Sequence, residues 1–340
     1  MDSLNPSDDQ AFSITPGAAL PDGGDALKSA IAGMLGDHSG LAARIRILEG
    51  TYASGHARTR IRVHYLAFRD GKPTLDELVE ALEPKLVGFC LPRAEINETL
   101  GQIDTLTPQQ VLERLSALAG RARRLFIKTR TATGRSGEAG ELLLYLLTEW
   151  MLAAPQLIAK MSLKTNSQMP VHGSDGIHIR YDEAAQTLLL FWGEAKVHQS
   201  INKAIDAAAT SMATLFRDQL AAEIVLVKAH HHMADLSSEA REALLSYLDP
   251  YSEKSNFRKD ISTCLIMFDF DAALEQHALE NREAAFRAAL LSAIEAAIAE
   301  FDAAAISAGL DQHNVELFFL PVPSVHDFRR AFQKLIGWPE

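Results

Sequence analysis

Residues 173–198 read GSDGIHIRYDEAAQTLLLFWGEAKVH, and the way this stretch folds decides the architecture. Apolar and polar residues alternate in DGIHIRYD, EAAQ is short and polar, and TLLLFW is continuously apolar. The stretch therefore predicts a β-hairpin whose second strand is buried on both faces. Such a strand has no evident reason to finish in GEAK. A charged side chain carried into a core costs several kcal/mol unless it is paired. Glu194 and Lys196 are thus either surface punctuation or part of a site. Antiparallel pairing brings Asp175, at the start of the first strand, to the end of the second. Residues 194 and 196 share a face, because strand side chains repeat every two residues.

Upstream, SGEAGELLLYLLTEWMLAA (136–154) predicts a long apolar helix. Its polar residues Glu138, Glu141, Tyr145 and Thr148 fall on one stripe, which points toward something polar. Either Glu138 or Glu141 can supply a carboxylate to the hairpin's end, the two lying one turn apart. Between helix and hairpin, KMSLKTN reads as a strand. Downstream, the apolar spacing of Ile201, Ala204, Ile205, Ala208, Met212 and Leu215 predicts a helix over about 200–217, and AEIVLVKA (222–229) reads as a short strand.

Further from the hairpin, TRIRVHYLAF (59–68) predicts a strand. TLDELVEALEPKL (74–86), introduced by Pro73 and Thr74, and TPQQVLERLSALAG (107–120) predict helices. SSEAREALLSYL predicts a helix, STCLIMFDF a strand, residues 274–308 a helix, VELFFL a strand, and Ser324 starts a closing helix. This alternation predicts an α/β (mixed α+β) fold with a mixed β-sheet flanked by helices. The organisation expected is a flexible lead-in over 1–24, an N-terminal α+β region over 25–130 that includes a candidate partner-docking surface, and a domain over 131–340 carrying the hairpin.

With 340 residues, 47% of them hydrophobic, the chain can bury a sizeable core. Its formal net charge of −11 excludes a protein that grips nucleic acid by its overall field. Local basic density remains at RARRLFIKTRTATGR (121–135), read as a face beside a strand, where Arg123, Arg124 and Arg130 are candidates for contact with phosphate. His198, next to the E-A-K, is a further one. Cys90 and Cys264 each sit in apolar runs and are expected to be reduced core residues. The glycines of GRSG and GEAG are not followed by Gly-Lys-Ser/Thr, so they form no phosphate-binding loop. Neither a signal segment nor a membrane span is predicted, and a cytoplasmic location is expected.

Two carboxylates from paired strands and a third from a helix make an all-oxygen set suited to Mg²⁺ or Mn²⁺. A lysine beside them can orient water and neutralise charge on phosphorus oxygens. The order helix-Glu, strand-Asp, strand E-x-K resembles the PD-(D/E)XK nuclease superfamily, with Ser174 where that superfamily often has Pro before its Asp. The resemblance implies catalytic roles for Glu138 or Glu141, Asp175, Glu194 and Lys196, with Glu141, Asp175 and Glu194 as metal ligands. The longer string from LKTNSQMPVHGSDGIHIRYD to LLLFWGEAKVHQSINKAIDAA is similar to the HamA family, nuclease subunits of the Hachiman anti-phage defence system. That likeness implies a DNA-cutting effector partnered with a superfamily-2 helicase. A stand-alone restriction or junction-resolving nuclease and a non-catalytic module on the same fold are the alternatives.

Overall fold

The computed structural model describes residues 24–133, 137–164 and 173–338, without the side chains of 129–133. In chain order the elements are α1 (Gly24–Met34), β1 (Ile45–Ile47), β2 (Thr59–Leu66), β3 (Phe68–Arg69), β4 (Lys72–Pro73), α2 (Leu75–Leu82), α3 (Leu86–Cys90), α4 (Arg93–Leu100), α5 (Pro108–Thr133) and α6 (Glu138–Leu152). There follow β5 (Gln156–Ile158), α7 (Lys160–Lys164), β6 (Gly176–Asp182), β7 (Thr187–Val197), α8 (Ile201–Thr214), α9 (Leu220–His230), α10 (Ser238–Leu248), β8 (Arg258–Asp269), α11 (Arg282–Ala308), β9 (Asn314–Val322) and α12 (Val325–Leu335).

The hairpin forms as its alternation requires. β6 and β7 pair antiparallel from Gly176 opposite Gly193 to Asp182 opposite Thr187. The apolar run of β7 is buried on both faces because the strand is interior to a seven-stranded sheet of order β1-β2-β9-β8-β7-β6-β5. β2, β9, β8 and β7 run parallel, while β1 and the β6–β5 side are antiparallel, so the sheet is mixed. β1 and β2, from the stretch read as the N-terminal region, lie in the same sheet as the hairpin.

Strand parity sorts the core into layers. Leu189, Phe191 and Val197 of β7 join Leu265, Met267 and Phe318 under α2, α3, α5, α6 and α12. On the other face, Cys264, Ile266, Leu317 and Phe319 pack under α8 and α11, and Leu188, Leu190 and Trp192 meet α1 and α10. Cys90 and Cys264 are both buried and free. Local signals set the helix ends: Ser200, Ser237 and Ser324 cap α8, α10 and α12 through their side-chain oxygens, and Gly309 ends α11 at φ +77°.

Three sequence readings are corrected. AEIVLVKA lies in helix α9: a mostly apolar run fits a strand or a helix equally well, and here Glu223 and Val227, four residues apart, are buried, with Ile224 and Leu226 packed beside them. The KMSLK part of KMSLKTN is helix α7, with the adjoining Lys160 and Met161 buried, and the remainder lies outside the described residues. The basic stretch belongs to no strand edge, since α5 continues through Thr133. The lead-in, residues 1–23, lies outside the described residues. Among the described residues, no helix is long and apolar enough to cross a membrane.

Candidate active site at the open end of the hairpin

The hairpin's open end is tied together through Asp175. Its backbone N–H donates to Gly193 O at 2.6 Å, and its Oδ2 accepts from Ala195 N at 2.9 Å. Main chain and carboxylate of Asp175 are therefore both held by the strand that carries Glu194 and Lys196. Those two side chains, half-buried, leave β7 on the face that packs against α8, and Lys196 donates to Glu194. Ser211 of α8 hydrogen-bonds Glu194.

Glu141 arrives from the opposite face. Gly140 makes this possible: a Cβ there would lie 2.4 Å from Val197 Cγ2, so the absence of one lets the first turn of α6 lie against the end of β7. Glu141 Oε2 accepts from Lys164 Nζ at 2.6 Å, and the same ammonium stands 3.7 Å from Asp175 Oδ1. Asp175 is thus the hub, with Glu141 on one side of the sheet and Glu194 on the other.

The electrostatics of the cluster follow from this placement. Burial, reinforced by the charge of Asp175, pushes Glu141 up to about 8 against the pull of Lys164. The same two causes push Glu194 up to about 7 against Lys196. A helix N-terminus favours an ionised carboxylate by about 0.3–1 kcal/mol, less than the roughly 1.4 kcal/mol of a single pKa unit. Burial and like charge therefore win at Glu141. Burial disfavours charge on Lys196, but Glu194 outweighs it and holds the ammonium above its ordinary range. The cluster has more negative charge than its two lysines comfortably offset.

Glu138, the alternative helix ligand, is buried one turn earlier beside a cavity of about 20 Å³ lined by Phe126, Arg329, Phe332, Gln333 and Ile336. Its charge is felt by Glu141 and Lys164, but Glu141 is the residue that shares a cation with Asp175. His198 donates its backbone N–H to Met267 O, and its imidazole, depressed by burial and then by Lys196, Arg329 and Lys203, is neutral at pH 7. Arg123 is taken up by an ion pair with Glu83, whereas Arg124 is exposed. The side chain of Arg130 lies outside the described residues. Buried His178 donates from Nδ1 to Ala154 O at 2.8 Å, an ordinary structural role.

Lys164 was legible from sequence only as part of the expected strand KMSLKTN. Its pairing with two acids depends on α7, which the pattern did not reveal. As the side chains stand, no group of three His, Cys, Asp or Glu among the described residues is gathered closely enough to hold a metal ion. Glu141, Asp175 and Glu194 nevertheless fit a hard cation in chemistry: all donors are oxygen, and burial together with the charge of Asp175 raises two of them, which a cation would offset.

A family model, HamA, matches residues 46–336. The chain belongs to the HamA family. HamA is a component of the Hachiman defence system. The HamA match includes every element that builds the cluster and the interior strands β2 and β9, while α1 precedes it. A search of curated proteins found no match.

Proposed function

We propose that this HamA-family chain is a metal-dependent deoxyribonuclease, the DNA-cutting effector of a Hachiman system, acting with a partner helicase. The observation that carries the reading is the meeting of Glu141, Asp175, Glu194 and Lys196 at one end of the sheet, with Glu141 and Glu194 held far above the usual carboxylate range. Glu141, Asp175 and Glu194 are the residues that would hold Mg²⁺ or Mn²⁺. Bound there, the cation supplies Lewis-acid activation of a phosphodiester and of the attacking water.

The chain's own residues do the rest. Lys196, kept protonated by Glu194, acts as a charge donor rather than a base, neutralising negative charge that grows on the phosphorus oxygens. Asp175, fixed at backbone and carboxylate by β7, presents its charge to both the helix acid and the strand acid. Lys203 and Arg329, near His198, add positive charge at the same end of β7. With a net charge of −11, the chain meets DNA against its own field. A helicase already on DNA offsets this by holding the nuclease at high effective concentration.

The decisive experiment incubates the purified chain, with and without the helicase encoded beside it, on plasmid and linear DNA in Mg²⁺ or EDTA. Cleavage is expected from the complex in Mg²⁺, and Glu194→Ala and Lys196→Ala are each expected to lower it by at least about 100-fold. Undiminished cutting by both folded variants, or in excess EDTA, refutes the site. Equal cutting by the isolated chain favours the stand-alone nuclease. A second reading, a non-catalytic module, draws support from the Lys164–Glu141 and Lys196–Glu194 ion pairs, which already offset part of the acid charge. It predicts no metal-dependent cutting by the complex at all.

A further inference from the structure

Beneath the cluster lies a second charged pair. Lys160, at the start of α7, and Glu223, on the inward face of α9, are 1% and 2% exposed, and the ammonium sits 2.8 and 3.0 Å from the two carboxylate oxygens. Both close on one residue. Lys160 Nζ donates to Ser174 O at 2.5 Å and lies 3.3 Å from Ser174 Oγ. Ser174 N donates to Glu223 Oε1 at 3.1 Å, and Ser174 Oγ donates to Glu223 Oε2 at 3.2 Å. Every polar atom of Ser174 is therefore engaged by the pair. The neighbouring Gly173, at φ +115°, leaves room for the carboxylate, since a Cβ there would stand 1.9 Å from Glu223 Oε1.

Ser174 immediately precedes Asp175. The arrangement explains why the chain reads Gly-Ser-Asp: a proline at 174 has no N–H to give Glu223. A buried ion pair is a poor way to buy stability, because apolar residues of similar volume serve as well or better. Its particular product is direction, and here the direction is spent on the main chain leading into the hub carboxylate. Asp175 is thus anchored from two sides, by Gly193 and Ala195 ahead of it and by Lys160 and Glu223 behind.

We propose that Lys160 and Glu223 are positioning residues that clasp Ser174 and thereby aim the Asp175 carboxylate. This rests on the reading of Asp175 as a metal ligand. Partners that orient a ligand without touching the metal typically contribute about 10–100-fold to metal affinity. Loss of the clasp is therefore expected to appear in metal binding and turnover, with DNA affinity unchanged.

The test uses the full chain and Mn²⁺ alone, titrated without DNA and followed by the electron paramagnetic resonance of free Mn²⁺. An Asp175→Asn variant defines the binding that belongs to the cluster. The double variant Lys160→Met/Glu223→Leu replaces the pair by apolar residues and is expected to fold with a lowered Tm, because Ser174 loses its partners, and to bind Mn²⁺ about 10–100-fold more weakly. Glu223→Gln, which preserves shape and one acceptor, gives a second measurement and is expected to weaken binding by about 10-fold. In the helicase complex, both are expected to lower kcat with KM for DNA unchanged. Mn²⁺ affinity within twofold of wild type in either folded variant overturns the proposal and leaves the nuclease reading standing. A wild-type chain with no Asp175-dependent Mn²⁺ binding overturns both.

Discussion

Lys164→Met keeps a long unbranched stem at the end of α7 and takes the ammonium from between two carboxylates. Removing one partner of a buried ion pair costs about 3–5 kcal/mol, because the charge left behind is uncompensated. The lower end applies here, since Glu141, already pushed up to about 8, sheds its charge by taking a proton at neutral pH. At about 2.1 cal/mol/K per residue, 340 residues unfold with an entropy of roughly 0.7 kcal/mol/K, so about 3 kcal/mol lowers Tm by about 4 °C. A divalent cation offered to the variant meets acids with no resident ammonium. At 100 times its Kd, it returns about 2.7 kcal/mol, close to the whole loss. In the wild type the same cation must first displace Lys164 from Glu141 and Asp175, so it stabilises less. The assay is scanning calorimetry of both proteins in EDTA and in Mn²⁺. The expected result is a deficit of about 4 °C in EDTA that nearly closes in Mn²⁺. An equal deficit in both conditions, or a larger metal effect on the wild type, refutes the reasoning.

Glu141 and Glu194 have folded pKa values of about 8 and about 7, above the ordinary 4.5, so the folded state keeps protons that the unfolded state releases. Their contribution is therefore present below about pH 4.5 and is lost as pH rises toward 7 to 8, so the Tm in EDTA should be lower at pH 8 than at pH 6. Mn²⁺ should shrink that difference, because the metal requires the deprotonated acids; a Tm in EDTA that rises over this range contradicts the assignment. Gly140→Ala gains about 1 kcal/mol of helix propensity but places a Cβ 2.4 Å from Val197 Cγ2, an overlap that costs about 1–3 kcal/mol. A lower Tm together with weaker Mn²⁺ binding is expected as α6 moves off β7, and a variant with raised Tm and unchanged metal affinity sinks this account.

The hairpin was legible because its two strands differ in kind: alternation in DGIHIRYD marks a strand near the edge, and the unbroken TLLLFW marks an interior one. The meeting of Asp175 with Glu194 and Lys196 follows from pairing and parity alone, and the structure places them accordingly. The choice between Glu138 and Glu141 was not legible, since one helical turn separates them. That Glu141 is the one sharing Lys164 with Asp175 depends on Gly140 and on α7, both of which act across the tertiary fold. Lys160 and Glu223 escaped notice for a related reason. AEIVLVKA was read as a strand, and the acid meets Lys160 only because the segment is helix α9, packed with Glu223 and Val227 buried. The basic run was legible as composition, yet its charge is partly spent at home, on Glu95 and Glu83.

Strand order also governs when the molecule can assemble. β2 pairs with β9, Thr59 standing opposite Val315, so an early strand waits for one of the last to be made. At about 5–20 residues per second, that wait during synthesis is roughly 13–50 s. Throughout it, β2 is an open edge, and buried Glu316 has not yet arrived to meet Arg60 and Arg62. The hairpin and α6 emerge midway, but β8 and β9, which wall β7 on its parallel side, come afterwards. The acids are therefore gathered against a complete sheet only once β9 has been made, so the cluster, and any activity it carries, is assembled late.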